Sequence, residues 1–192
     1  MNLKSKITIP NCITSLRIIG AICMIFTKIF TPAFYVIYTF CGITDVLDGF
    51  IARITKKTSE FGAKLDSVAD LLFYGIMLFK LLPRMLSAMP NAMPVMIASL
   101  VALRVCSYLI AAFRYKKFAS LHTYMNKISG FSCFMMPYLI LWNVPENIVY
   151  SIVYGIAVIA GLEELLIHSA AQNYTRGNRT VITAVKENKA ND

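Results

Sequence analysis

The 192 residues carry 57% apolar against 15% charged side chains, with a mean hydropathy of +0.62. A soluble domain of this length cannot bury so much apolar surface, whereas six helices of about 20 residues, each long enough for a ~30 Å hydrocarbon layer, would use about two-thirds of the chain. The net charge of +9 is dispersed between apolar runs, which argues against a nucleic-acid surface and makes anionic lipid head groups the expected partner.

In chain order, Lys4 and Lys6 precede apolar residues as in a signal peptide, but no small-x-small cleavage site follows convincingly and the next segment holds Arg17. A retained first helix is expected instead. Charge clusters and Pro/Asn breaks divide the chain into six candidate spans at about 11–30, 31–53, 61–83, 92–114, 124–143 and 146–168. Residues 128–145 and 147–162 are uncharged, while the second and third spans contain Asp45, Asp48, Asp66 and Asp70. With the N-terminus inside, fourteen of the 19 Lys and Arg fall at cytoplasmic ends, against Lys28, Lys80 and Arg84 outside and Arg17 and Arg104 within spans. The expected fold is therefore an all-α integral membrane bundle of six transmembrane helices with both termini cytoplasmic. Residues 1–168 form this domain and 169–192 a polar cytoplasmic tail, whose sequons at Asn173 and Asn178 are then chance matches. Cys12, Cys23, Cys41, Cys106 and Cys133 show no metal-ligand spacing and read as buried small hydrophobes.

Four aspartates carry the chemistry. Asp45 and Asp48 are three apart and Asp66 and Asp70 four apart, so each pair shares one helix face, and the short Arg53-to-Lys57 turn brings the two helices together antiparallel. Four converging carboxylates in a low-dielectric bundle repel one another, and divalent cations remove the conflict. Oxygen-only ligation selects hard ions such as Mg²⁺, Mn²⁺ or Ca²⁺ over zinc, and four Asp suffice for two ions with shared ligands, an arrangement suited to phosphoryl transfer. Gly49, Ala52 and Gly62 lie on the same stripes, either for tight helix packing or as room for a nucleotide. Arg53 is either a diphosphate ligand or an interface residue reaching for head groups.

Taken together these residues read Asp45-x-x-Asp48-Gly49-x-x-Ala52-Arg53, eight residues, Gly62-x-x-x-Asp66-x-x-x-Asp70. At this point the chain closely resembles the CDP-alcohol phosphotransferase family, whose signature is DxxDGxxAR, eight residues, GxxxDxxxD. The resemblance implies an enzyme that moves the phosphatidyl group of CDP-diacylglycerol to an alcohol with release of CMP. It further implies that Asp45, Asp48, Asp66 and Asp70 bind two divalent cations, Mg²⁺ or Mn²⁺, that Asp70 takes the proton of the attacking hydroxyl, and that Asp48, Gly49, Ala52, Arg53 and Gly62 border the CDP moiety. A homodimer is implied as well.

The acceptor is written elsewhere in the chain. Arg104, inside the fourth span, is a functional candidate or a salt bridge within the bundle, and Arg114, Lys116, Lys117, His122 and Lys127 add a basic cluster suited to a phosphorylated acceptor. The opening Ile9-Pro10-Asn11-x-Ile13-Thr14-x-x-Arg17 looks like the start of the family's phosphatidylglycerophosphate synthases, which makes glycerol 3-phosphate the leading acceptor and places Arg17 with Arg104, Arg114 and Lys127 as acceptor-binding candidates. Ser67 instead resembles the serine-using branch, and inositol 1-phosphate is another phosphorylated alternative. Glu163 and Glu164 mark the cytoplasmic end of the sixth span. A bacterial plasma membrane with the site on its cytoplasmic side is the expected location. The rival of another class is a cation transporter, which would spread its polar residues along the membrane depth instead of gathering them at one end.

Overall fold

The computed structural model describes residues 9–55, 60–115 and 123–170. Among them all regular structure is helical: α1 (Ile9–Ile25), α2 (Pro32–Thr55), α3 (Glu60–Ala88), α4 (Ala92–Tyr115), α5 (Tyr124–Leu141) and α6 (Glu146–Ala170). Three stretches, Pro32–Ile51, Ala92–Arg114 and Glu146–Ser169, are long and apolar enough to cross a membrane by length and composition. The tail beyond residue 170, with Lys116, Lys117 and His122, lies outside the described residues.

Local chemistry accounts for the ends. Pro32 opens α2 where a missing N–H costs nothing, and the Thr31 hydroxyl accepts from Phe34 N at 3.3 Å. Thr123 caps α5 in the same way, accepting from Asn126 N at 3.1 Å. The first helix stops at Ile25, five residues before the expected boundary, because Phe26 N and Thr27 N turn back to Cys23 O and Met24 O and Phe30 takes a left-handed φ of 62°. That conformation costs a non-glycine residue about 1–2 kcal/mol, and it places the Phe30 ring 4.8 Å from the Arg84 guanidinium carbon. Asn143, between α5 and α6, also has positive φ, which an Asn side chain tolerates well. Pro83 lies inside α3, which runs on to Ala88, five residues past its expected end.

The chain divides into two compact units, Met1–Arg84 and Met85–Asp192. In the first, α1 packs along α2, and Tyr38 stacks on Phe34 and Phe73 while its hydroxyl donates to Met77 Sδ at 3.1 Å. Ala21, Met24, Cys41, Ala69 and Leu81 complete this core. In the second, α6 packs against both α4 and α5 around Met136, Val149, Tyr150, Ala160 and Ile167.

Large apolar side chains such as Val36, Val46, Leu71, Phe79 and Phe113 point outward, whereas Arg17, Asp48, Glu164 and His168 are buried. This inverts the soluble pattern and suits lipid surroundings. It also corrects the reading of the cysteines: Cys41 is buried and Cys133 partly so, but Cys12, Cys23 and Cys106 are exposed on the helix surfaces, since an apolar outer face serves a thiol as well as a protein core does.

Candidate active site

The motif residues converge at one end of α2 and α3. One oxygen each from Asp45, Asp48 and Asp66 lies within 4.8 Å of the others, so the two carboxylate pairs meet as their spacing predicts. What the spacing does not reveal is that α1 completes the cluster. Arg17 donates from Nη1 to Asp45 Oδ1 at 2.7 Å, Asp70 Oδ1 at 2.5 Å and Asp66 Oδ1 at 3.2 Å, and from Nη2 to Asp48 Oδ2. Thr14, one turn earlier on α1, places its hydroxyl 2.9 Å from the same Asp48 oxygen and 2.9 Å from Pro10 O. Arg17, placed by sequence among the acceptor ligands, thus sits between all four aspartates.

Burial is uneven around this cluster. The side chains of Arg17 and Asp48 are 1% and 6% exposed, while those of Asp45, Asp66 and Asp70 are 46%, 47% and 42% exposed. The cluster therefore has a closed side, at Asp48 beside Thr14 and Arg17 of α1, and an open side, at the accessible Asp45, Asp66 and Asp70. Nη1 has two protons for three carboxylate oxygens, and Nε has no partner among the described residues. Arg17 brings a single positive charge to four carboxylates. Hard divalent cations fit this oxygen-only donor set, which offers several open carboxylates beyond what Arg17 can satisfy.

Close approach of α1 to α2 makes the Arg17 contacts possible. A Cβ at Gly20 would lie 2.8 Å from Cys41 Sγ, and Cys41 Sγ is 3.7 Å from Arg17 O, so the helices are in close contact one turn from the arginine. By contrast, a Cβ at Gly49 would meet nothing within 4 Å among the described residues. Gly49 is exposed on α2, and the tight packing that is one reading of it is not seen among the described residues. Gly62 is half-buried on the first turn of α3. Ala52 and Arg53 lie on α2, with their side chains outside the described residues.

The remaining sequence candidates belong to the second unit. Arg104 donates from Nη1 to Glu164 Oε2 and from Nη2 to Asn126 Oδ1 at 2.9 Å, and Asn126 Nδ2 donates to Glu164 Oε2 at 3.1 Å. Glu164 is fully buried and His168 Nε2 lies 3.8 Å from its other oxygen. Glu164 is therefore part of an internal polar network and not simply a marker of the end of α6. Its signal in sequence was the intramembrane Arg104, which demanded an acidic partner. Arg114 donates to Ser169 O at the ends of α4 and α6, and Lys127 Nζ stands 5.9 Å from the Tyr124 ring centroid.

A family model described as CDP-alcohol phosphatidyltransferase matches residues 7–166, a span that takes in α1 with Arg17, the aspartate motif and most of α6. The chain belongs to this family. A CDP-diacylglycerol–serine O-phosphatidyltransferase of Methanocaldococcus jannaschii is 36% identical over 75 residues, covering 39% of this chain and 35% of that protein. A CDP-diacylglycerol–glycerol-3-phosphate 3-phosphatidyltransferase of Cereibacter sphaeroides is 35% identical over 69 residues, 33% of this chain and 31% of its own. One of the same description from Wigglesworthia glossinidia brevipalpis is 37% identical over 70 residues, 34% and 38% of the two chains. The chain thus spans about a third of the length of these curated relatives. No solved structure matches.

Proposed function

We propose that the protein transfers the phosphatidyl group of CDP-diacylglycerol to a small alcohol with release of CMP. The convergence of Asp45, Asp48, Asp66 and Asp70 on one point, in a chain of this family, carries the reading. These four residues would hold two divalent cations, Mg²⁺ or Mn²⁺, which when bound offset the charge of the diphosphate and make CMP a better leaving group. Asp48, fixed by Thr14 and Arg17 on the closed side, keeps the cluster in register. Gly49 leaves room for the CDP moiety, with Ala52, Arg53 and Gly62 bordering it. Asp70, on the open side, accepts the proton of the attacking hydroxyl as its oxygen bonds to the lipid-bearing phosphorus and the bond to CMP breaks.

Glycerol 3-phosphate is the acceptor this reading favours, giving phosphatidylglycerophosphate. The Pro10-to-Arg17 opening and the two relatives that act on glycerol 3-phosphate support it, and the serine-using relative together with Ser67 supports the alternative. Arg104, Arg114 and Lys127 are the proposed acceptor-binding residues, with Arg17 reaching the acceptor only from within the aspartate cluster. We place the protein in a plasma membrane as six spans with cytoplasmic termini, a cytoplasmic active site and a homodimeric assembly.

The test is CMP release by the purified protein with CDP-diacylglycerol and Mg²⁺ or Mn²⁺, offering glycerol 3-phosphate, inositol 1-phosphate, serine and inositol separately. Metal-dependent release with glycerol 3-phosphate alone is the expected result. Release only with another alcohol reassigns the acceptor and keeps the chemistry. No release with any, from folded protein that binds metal, overturns the activity.

A further inference from the structure

Arg17 bonds to the carboxylate oxygens that a metal ion would need. Its Nη1 lies 2.5–3.2 Å from oxygens of Asp45, Asp66 and Asp70, and a hard divalent ion bound to those oxygens would sit about 2.0–2.6 Å from them. The two cations compete for the same lone pairs and repel each other at such distances. Arg17 reaches the carboxylates from α1, whereas all four acids are on α2 and α3, so the guanidinium can withdraw without moving a single ligand. Its Nε has no partner among the described residues, so withdrawal breaks no bond there. Asp45, Asp66 and Asp70 are each nearly half exposed, so an ion can reach their oxygens.

We propose that Arg17 is an exchangeable counter-cation. It holds the four carboxylates together when no divalent ion is bound and gives up Asp45, Asp66 and Asp70 as ions enter, thereby setting how much metal the site requires. The proposal rests on the reading of the four aspartates as a divalent-ion site.

The test measures Mn²⁺ binding to the full-length protein in detergent, by free-Mn²⁺ paramagnetic resonance, for wild type, Arg17→Ala and Arg17→Lys, with thermal stability followed in chelator and in Mn²⁺. Arg17→Ala should bind Mn²⁺ roughly tenfold more tightly or better, since one competing charge is gone. It should lose stability in chelator and regain it in Mn²⁺. Low-millimolar guanidinium should weaken its Mn²⁺ affinity competitively and restore its stability in chelator, leaving wild type unaffected. Equal or weaker Mn²⁺ affinity in Arg17→Ala, or indifference to guanidinium, overturns the proposal and makes Arg17 a fixed support of the ligands. If Arg17→Ala folds under neither condition, Arg17→Lys decides: a single ammonium spans fewer of the carboxylates, so Mn²⁺ should bind more tightly than to wild type, and equal or weaker binding overturns the idea. Wild type that binds no Mn²⁺ at all removes the metal site itself, an outcome distinct from unchanged affinity in the variants.

Discussion

The hydroxyl of Thr14 lies 2.9 Å from Oδ2 of Asp48, so a neutral side chain of α1 supports the most buried carboxylate of the cluster. Its one proton is shared between that oxygen and Pro10 O, and Arg17 Nη2 supplies the other donor. Thr14→Val keeps the branched shape and removes the donor. A hydrogen bond to a charged group contributes about 1.5–3 kcal/mol, so the variant should fold less stably by about that amount. The Mg²⁺ concentration for half-maximal CMP release should rise with it, as a metal titration of rate would reveal.

Asp66 and Asp70 are about half exposed, and replacing either by Asn leaves no buried charge uncompensated. Asp70→Asn should lower kcat by about 10²–10⁴-fold, the usual contribution of a positioned base, with a melting temperature close to wild type. Asp66→Asn should abolish turnover in the same folded state. Normal turnover by either purified variant would break the mechanism.

Gly20→Ala introduces a Cβ 2.8 Å from Cys41 Sγ, a short side chain with little freedom to move aside. Such overpacking costs about 1–3 kcal/mol, and here it pushes α1 away from α2 beside Arg17. Both stability and CMP release should fall. Adding Cys41→Ala should recover most of the loss, and a double variant no better than the single would place the strain elsewhere.

Arg104 has two expected effects. Losing it removes the arginine paired with the fully buried Glu164, a defect worth about 3–5 kcal/mol for a fully buried pair and less here because Asn126 still donates to Glu164 and the Arg104 side chain is 35% exposed. Arg104→Gln should therefore melt lower than wild type, and Arg104→Gln with Glu164→Gln should melt higher than the single variant. If Arg104 also binds the acceptor, the double variant keeps a raised acceptor KM after its stability returns. A normal KM in the double variant removes Arg104 from the pocket.

Much of this architecture was legible in the residues themselves. Six apolar runs gave six helices, and the i+3 and i+4 spacing of the aspartates gave their convergence, because both are local periodicities of one helix or of two joined by a short turn. The place of Arg17 was not legible in that way, since no pattern within α1 encodes which face of another helix it meets. Glu164 looked like a boundary residue because two adjacent acids at the end of an apolar run usually are, and its pairing with Arg104 sixty positions away has no local trace. Gly20 was missed for the same reason: its significance lies in Cys41 opposite it.

Lys80 on α3 donates to Ile25 O at 3.0 Å and Thr27 O at 2.7 Å, closing the carbonyl end of α1 with a cation. Together with Thr14 and Arg17, which reach from α1 into acids of α2 and α3, this gives α1 polar fastenings at two levels, Lys80 and Arg17 lying about 12 Å apart along its axis, at 1.5 Å per residue. A rod pinned at two points cannot slide or rotate about its length without tearing one pin. When Arg17 gives up Asp45, Asp66 and Asp70, Thr14 on Asp48 and Lys80 at the far end still hold α1 in place, so the exchange is the movement of one side chain against a fixed helix.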